Sequence, residues 1–159
     1  MGDIPGERSD GRRIKRSRSI NAPLRTIWDV LADFGALSSW AGNVDHSCIL
    51  THGPDGLAMG TTRRVQMGRN ALVERITEFD PPSALAYDIA GLPRRLKHVA
   101  NRWTLQASGA ATTVTITSTV AIGNDPVARA AEWVICLGMA KESTSMLAGL
   151  ARRLENTHV

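Results

Sequence analysis

The segment 18–44 constrains the fold of this 159-residue chain more than any other part of the sequence. It begins at the end of a run in which apolar and charged residues alternate, and this alternation predicts a strand from near Ile14. The sequence Asn-Ala-Pro then ends the strand and starts a helix over residues 23–33, because Asn is a favoured N-cap and Pro fits the first helical turn. A glycine separates this helix from a second short helix over residues 36–40. Few architectures place two short helices directly after their first strand.

From residue 45 onward the hydrophobic pattern changes to a period of two, which is typical of strands. Residues that favour turns separate the runs, and the short connections favour antiparallel neighbours. The last run is the clearest, because threonines alternate with Val, Ile and Ser, so one face of the strand is predicted to be wet and the other packed. The predicted strands cover residues 46–50, 61–67, 71–79, 84–90, 97–106 and 112–122.

The last part of the chain predicts one long helix. Residues 127–155 follow an Asn-Asp-Pro helix start and contain no proline or clear stop signal, so a helix of about 28 residues and about 42 Å is expected. Its apolar stripe is expected to lie on the concave face of the sheet. The predicted stripe consists of Val127, Ala131, Val134, Ile135, Met139, Met146, Leu147, Leu150 and Leu154.

This order of elements, together with individual residues along the chain, resembles a known family. The residues that carry the resemblance are Ile20, Asn21, Pro23, Ile27, Trp28, Leu31, Phe34, Leu37, Trp40, Val44, Gly60, Arg63, Glu74, Asp80, Tyr87, Trp103, Leu147 and Leu150. Over about residues 14–155 the chain is similar to the polyketide cyclase/dehydrase and lipid-transport group of the START-like (SRPBCC) superfamily.

The resemblance implies an α+β helix-grip fold. This fold has a curved seven-stranded antiparallel sheet, two short helices after strand 1 and a long C-terminal helix across the concave face. A mostly apolar cavity is expected between the sheet and the helices. Members of the group include aromatic cyclases and carriers of lipids and quinones, so the resemblance implies a ligand-binding cavity without naming the ligand.

Length and charge favour one domain with a basic leader. A chain of 159 residues fits a single hydrophobic core. Residues 1–12 are predicted to be a disordered polar and basic leader, and residues 13–156 a single START-like ligand-binding domain. The net charge is +4, but residues 1–18 carry six bases and three acids, so the rest of the chain is close to neutral. No nucleic-acid partner is therefore expected.

Several other partners and cofactors are not expected. The first residues lack the order of a secretory signal, and no apolar run approaches the roughly 20 residues of a membrane span, so a cytoplasmic protein with at most peripheral membrane contact is predicted. A basic cluster in one predicted loop could provide such contact, although such runs are usually only solvated. The cluster consists of Arg94, Arg95, Lys97 and His98. A monomer or homodimer is expected.

No metal or cofactor site is predicted. His46, Cys48 and His52 do not complete a tetrahedral ligand set, and the chain has no Gly-rich phosphate loop at a strand-to-helix junction. Cys48 and Cys136, the two cysteines, are predicted to be reduced and buried.

Arg63, Arg64 and Glu74 are the first candidates for chemistry. The strands that carry them are joined by a short turn and must pair. If Met67 opposes Ala71, Arg64 lies opposite Glu74. A slip of one residue in the register would move every side chain of the strand to the opposite face of the sheet. An inward Arg and Glu could bind a carbonyl group, with Glu as a base. The favoured alternative is a structural ion pair worth about 0.2–1 kcal/mol.

Other candidates are aromatic or polar residues on predicted inner faces. Tyr87 is expected to point into the cavity, where it either contacts a ligand or bonds to the backbone. Trp40 is expected at the rim, where it either contacts a ligand or anchors its loop. The complete set of predicted ligand-binding residues is Trp40, Val44, Arg63, Glu74, Tyr87, Asn101, Trp103, Ile135 and Met139.

Three functions follow from these observations. The first is a carrier or sequestering protein for a hydrophobic or aromatic small molecule, such as a lipid, a quinone or a polyketide-like compound. The second is an aromatic polyketide cyclase or dehydratase that uses Glu74, Tyr87 and either Arg63 or Arg64. The third is a partner-binding module in which side chains fill the cavity.

Overall fold

The computed structural model describes residues 11–92, 96–123 and 125–155. The predicted leader falls almost wholly outside the described residues, as do Arg94 and Arg95. The strands are β1 (Arg12–Ile20), β2 (His46–Thr51), β3 (Thr62–Met67), β4 (Asn70–Asp80), β5 (Ala84–Ala90), β6 (His98–Ser108) and β7 (Ala111–Ala121). The helices are α1 (Leu24–Ala32), α2 (Pro126–Glu155) and two 3₁₀ helices, Phe34–Ser39 and Pro54–Gly56.

The seven strands form one antiparallel sheet in the order β1-β7-β6-β5-β4-β3-β2. Strands β2 to β7 are neighbours in sequence order, whereas β1 pairs with β7 at the far side of the sheet. Register shifts in β2 and in β4 introduce bulges, which bend a strand and increase its twist. The long helix α2 packs along β1 and β7. The predicted helix-grip fold is confirmed.

The pairing of β3 with β4 differs by one residue from the register on which the prediction rested. Met67 opposes Asn70 rather than Ala71, so Arg63 lies across from Glu74 and Arg64 lies across from Val73. The reason is the turn, which contains only two residues and has a glycine with a φ of 58° at its first position. Arg63 is therefore the inward arginine of this hairpin.

The second short helix also differs from the prediction. It is a 3₁₀ helix that begins at Phe34, and the break from α1 lies at Asp33, whose ψ of 73° is not helical. Gly35 lies inside this helix. A Cβ atom at Gly35 would lie 2.8 Å from the Ile49 side chain, so this glycine permits close packing on β2.

Helix α2 has the predicted length, and most of its predicted stripe is buried or half-buried, but its first half differs from the prediction. Val127 and Val134, predicted to be buried, are 79% and 63% exposed. The sheet-facing side of this half of α2 instead carries small residues, Ala128, Cys136 and Ala140, which allow the helix to approach the sheet closely. The buried Glu132 carboxylate accepts hydrogen bonds from backbone N–H groups just after β7, which compensates for its burial.

The two cysteines and the described part of the basic cluster were also the subject of predictions. Cys136 is buried, but Cys48 is exposed, because it pairs across from Arg64 on the outer face of the sheet. Both cysteines are free. Lys97 and His98 are exposed, and the His98 ring lies 3.8 Å from the Asp88 carboxylate.

Within the described residues, no group of His, Cys, Asp and Glu is placed to hold a metal ion. Neither α1 nor α2 combines the length and the hydropathy needed to cross a membrane.

Candidate functional site

A cavity of about 460 Å³ lies between α2 and the inner face of β3 to β6. Most of its wall is apolar, and the three exposed residues of its lining, Asn70, Gly91 and Glu142, lie at its rim. The interior is therefore not filled by side chains, as the predicted partner-binding module would require. The apolar wall includes Leu37, Val44, Val65, Met67, Leu72, Ile89, Leu92, Leu96, Val99, Ile135, Met139 and Met146.

One wall of the cavity carries a buried ion pair. The Nη2 atom of Arg63 lies 2.7 Å from the Oε1 atom of Glu74, and its Nε donates to the same oxygen at 2.8 Å. The two side chains are 4% and 7% exposed. Glu74 lines the cavity, and Arg63 lies behind it. Burial raises the pKa of the Glu74 carboxyl, and the charge and hydrogen bond of Arg63 oppose that rise.

Arg63 makes further contacts besides those with Glu74. Its Nη1 atom donates to the Phe34 carbonyl at 2.9 Å. The guanidinium lies 3.7 Å from the centre of the Phe34 ring and 4.7 Å from that of Tyr87, within the range of cation–π attraction. Arg63 therefore joins the first 3₁₀ helix to three neighbouring strands.

Tyr87 and Asn101 form a second polar group on the wall. The Tyr87 hydroxyl accepts hydrogen bonds from Asn101 Nδ2 at 3.4 Å and from Trp103 Nε1 at 3.3 Å. Asn101 is held in turn by Ser118, whose Oγ donates to its Oδ1 at 2.6 Å. Neither bond to Tyr87 uses the hydroxyl hydrogen, which is available to donate. Burial raises the pKa of Tyr87, and the nearby Glu74 charge adds to the rise.

The predicted site residues divide into two groups. Those that line the cavity are Val44, Glu74, Tyr87, Asn101, Ile135 and Met139. Those that are buried in the adjoining core are Trp40, Arg63 and Trp103.

Trp40 and Arg64 lie away from the cavity lining. The Trp40 ring meets Trp103 edge-on at 5.9 Å between ring centres, and its backbone carbonyl lies close to Gly149 of α2. Its position is that of an anchor for the loop. Arg64 is exposed and donates to Gln66 at 2.6 Å, so it is not placed to serve the cavity.

Several lining residues were not predicted. Leu72 and Val99 lie two residues from the candidate positions Glu74 and Asn101, so strand alternation could have identified them. Asn43 and Glu142 gave no such signal. Asn43 is in a loop and Glu142 is a helical acid, and they meet only because the chain brings together positions 99 residues apart.

The raised pKa of Tyr87 gives a prediction about alkaline pH, because Tyr87 is the only tyrosine in the chain. Phenolate absorbance of the native protein should rise only above the ordinary pKa of 10.0, whereas the urea-unfolded chain should titrate near that value. Above about pH 10 the unfolded state releases a proton that the folded state retains, so stability should fall as pH rises. Coinciding native and unfolded titration curves would contradict this, and Tyr87→Phe provides the blank.

The buried ion pair gives a prediction about stability. Arg63→Met should destabilise the protein by about 3–5 kcal/mol, because it leaves the Glu74 carboxylate buried without its partner. Arg63→Met combined with Glu74→Leu should cost less than Arg63→Met alone. The exposed neighbour gives the control, since Arg64→Met should change stability by less than about 0.5 kcal/mol. Urea unfolding measures all three, and equal small losses in the two single arginine variants would disprove the expectation.

Comparisons with known proteins agree with this architecture. The Zhui aromatase/cyclase from Streptomyces sp. R1128 superposes with a TM-score of 0.73 at 18% identity, over 91% of this chain and 93% of that one. A START superfamily protein from Mycobacterium smegmatis superposes with a TM-score of 0.69 at 15% identity, over 92% of this chain and 99% of that one. No curated protein sequence matches the chain.

The two structural similarities establish the fold. The sequence itself matches a family described as polyketide cyclase / dehydrase and lipid transport over residues 12–155, which is most of the chain. The protein therefore belongs to the polyketide cyclase/dehydrase and lipid-transport family.

Proposed function

We propose that the protein binds one hydrophobic or aromatic small molecule in its internal cavity and acts as a carrier or sequestering protein. The observation that carries this proposal is the cavity itself, an apolar space of about 460 Å³ with a few polar groups on its wall. Small-molecule sites have this size and this mixture of lining groups. The cytoplasmic location expected from the sequence is part of the same proposal.

Packing energetics support a bound ligand. Protein interiors are normally packed as densely as organic crystals, and side chains that face an empty space lose dispersion contacts. A cavity of this size next to a well-packed core is therefore a cost that a ligand would offset. The core around Trp40, Trp103 and Leu150 does not need a ligand to complete its packing, since these residues are buried within one cluster of side chains.

The carrier proposal predicts a difference between two adjacent residues of α2. Ile135 lines the cavity, whereas Val134 is 63% exposed. Ile135→Trp should fill part of the cavity and abolish capture of a ligand, and Val134→Trp should capture it as the wild type does. The measurement is native mass spectrometry, with extraction of bound molecules, on protein purified from its own host.

Two outcomes would count against the carrier proposal. One is wild-type protein that carries no small molecule and also fails to bind a neutral apolar dye. The other is equal capture by the two tryptophan variants while both remain folded in urea unfolding experiments.

A second candidate is a cyclase or dehydratase that acts on a polyketide-like substrate. The observation that favours it is the presence of Glu74 and Tyr87 in the lining of the same cavity. Glu74 could remove a proton from a carbon next to a carbonyl group, because its raised pKa makes it a better base than an ordinary carboxylate. Tyr87 could donate its hydroxyl hydrogen to the carbonyl oxygen as negative charge develops there.

The enzyme candidate has its own test. A poly-β-ketone thioester would be incubated with the protein, and aromatic product would be followed by ultraviolet absorbance and by loss of water in the mass spectrum. Glu74→Gln should lower the rate by about 100-fold or more, whereas Arg64→Met should leave it unchanged. Tyr87→Phe serves as a second variant if Glu74→Gln does not fold. A wild-type rate equal to the uncatalysed background would exclude this candidate and leave the carrier proposal intact.

A further inference from the structure

The charged groups of the cavity all have the same sign. Among the described residues that line it, two are carboxylates, Glu74 and Glu142, and none is Lys, Arg or His. This is unexpected for a chain with a net charge of +4. The bases of the described chain lie elsewhere, as on β1, where five exposed cations face solvent. The charge of the whole chain therefore does not describe the charge that a ligand would meet.

Arg63, the cation that lies behind the described wall of the cavity, is not available to a ligand. Arg63 directs two of its nitrogens to Glu74 and a third to the Phe34 carbonyl, and aromatic rings flank its guanidinium. A ligand anion would have to displace Glu74 from this pair and would leave a carboxylate buried without its partner. The ion pair thus presents its acidic member to the cavity and keeps its basic member behind the wall.

The mouth of the cavity presents a second set of acceptor atoms. Asn43 Nδ2 donates to the Oε2 atom of Glu142 at 2.5 Å, which joins the loop to α2. This bond fixes the orientation of the amide, since only the nitrogen can donate to a carboxylate. The opposite atom, Asn43 Oδ1, is buried and has no hydrogen-bond partner among the described residues. A buried acceptor in this state favours a ligand that brings a hydrogen-bond donor.

We infer that the cavity selects neutral apolar molecules that carry a hydroxyl group, such as phenols and long-chain alcohols, and rejects carboxylate and phosphate amphiphiles. The inference rests on the proposed binding function and specifies its ligand class. A hydroxyl group can donate to Asn43 Oδ1 or to a carboxylate oxygen, and the Tyr87 hydroxyl can donate to an oxygen of the same ligand. Among the described residues that line the cavity, an anion would meet the buried carboxylate of Glu74 and the exposed carboxylate of Glu142, and no free cation.

The test compares ligands of matched shape and different charge. At neutral pH, 2-naphthol and 2-naphthoate would compete with the neutral dye Nile red, as would tetradecanol and tetradecanoate, with 2-methylnaphthalene as the hydrocarbon reference. Each alcohol should bind at least about tenfold more tightly than the matched carboxylate. Asn43→Leu should weaken 2-naphthol by about three- to tenfold and leave 2-methylnaphthalene within about twofold, because only the former donates a hydrogen bond.

Charge variants separate a local effect from a general one. Glu142→Gln should strengthen 2-naphthoate binding by about threefold or more, because it removes one repelling charge from the mouth. Glu155→Gln changes the net charge equally, but Glu155 does not line the cavity, so it should leave both affinities unchanged. Equal responses of 2-naphthoate to the two variants would overturn the role assigned to Glu142.

Two further outcomes separate the selectivity inference from the proposed binding function. Carboxylates that bind as tightly as the matched alcohols would overturn the selectivity inference while supporting the binding function. If folded wild-type protein binds none of the probes, including 2-methylnaphthalene and Nile red, both the inference and the proposed function fail.

Discussion

The guanidinium of Arg63 holds the wall of the cavity in place. It lies on β3 and pairs with Glu74 of β4, and it also reaches the Phe34 carbonyl in the first 3₁₀ helix and the ring of Tyr87 on β5. A buried charge is tolerated only where a partner and further hydrogen bonds compensate for lost solvation. Glu74 and Tyr87 both line the cavity, and both are in contact with Arg63. The position of both candidate catalytic groups therefore depends on Arg63.

The cavity exists because α2 does not contact the whole sheet. The helix packs along β1 and β7, and small residues such as Ala128 and Ala140 let it approach closely there. The wall of the cavity is formed instead by β3 to β6, on the part of the curved sheet that lies away from that contact. The long apolar residues Ile135 and Met139 extend from α2 into the gap without closing it. The resulting space is apolar on most sides, and the two charged residues among its described lining are both acidic, within a chain that is basic overall.

Much of the fold and part of the site could be predicted from local patterns. Strand alternation placed Tyr87 and Asn101 on the inner face, whereas the facing of Glu74 depended on the register, and the structure puts all three in the cavity lining. The prediction was wrong where a small difference in a turn mattered, since a two-residue turn pairs Glu74 with Arg63 rather than with Arg64. The prediction was also wrong for Val127 and Val134 in the first half of α2, because hydrophobicity favoured these larger residues whereas close packing there uses small ones.

The sequence by itself determined the order of the main elements and the family, because these depend on periodicity, turn residues and motifs that neighbouring residues carry. Only the tertiary structure decided which polar groups meet. Asn43 and Glu142 are 99 positions apart, and the Arg63 side chain reaches a carbonyl 29 positions away. Contacts of this kind depend on strand register and on how closely a helix lies against a sheet. A shift of one residue in the register, or of a few ångströms in the position of the helix, would break these contacts. No local sequence pattern records the register or the helix position.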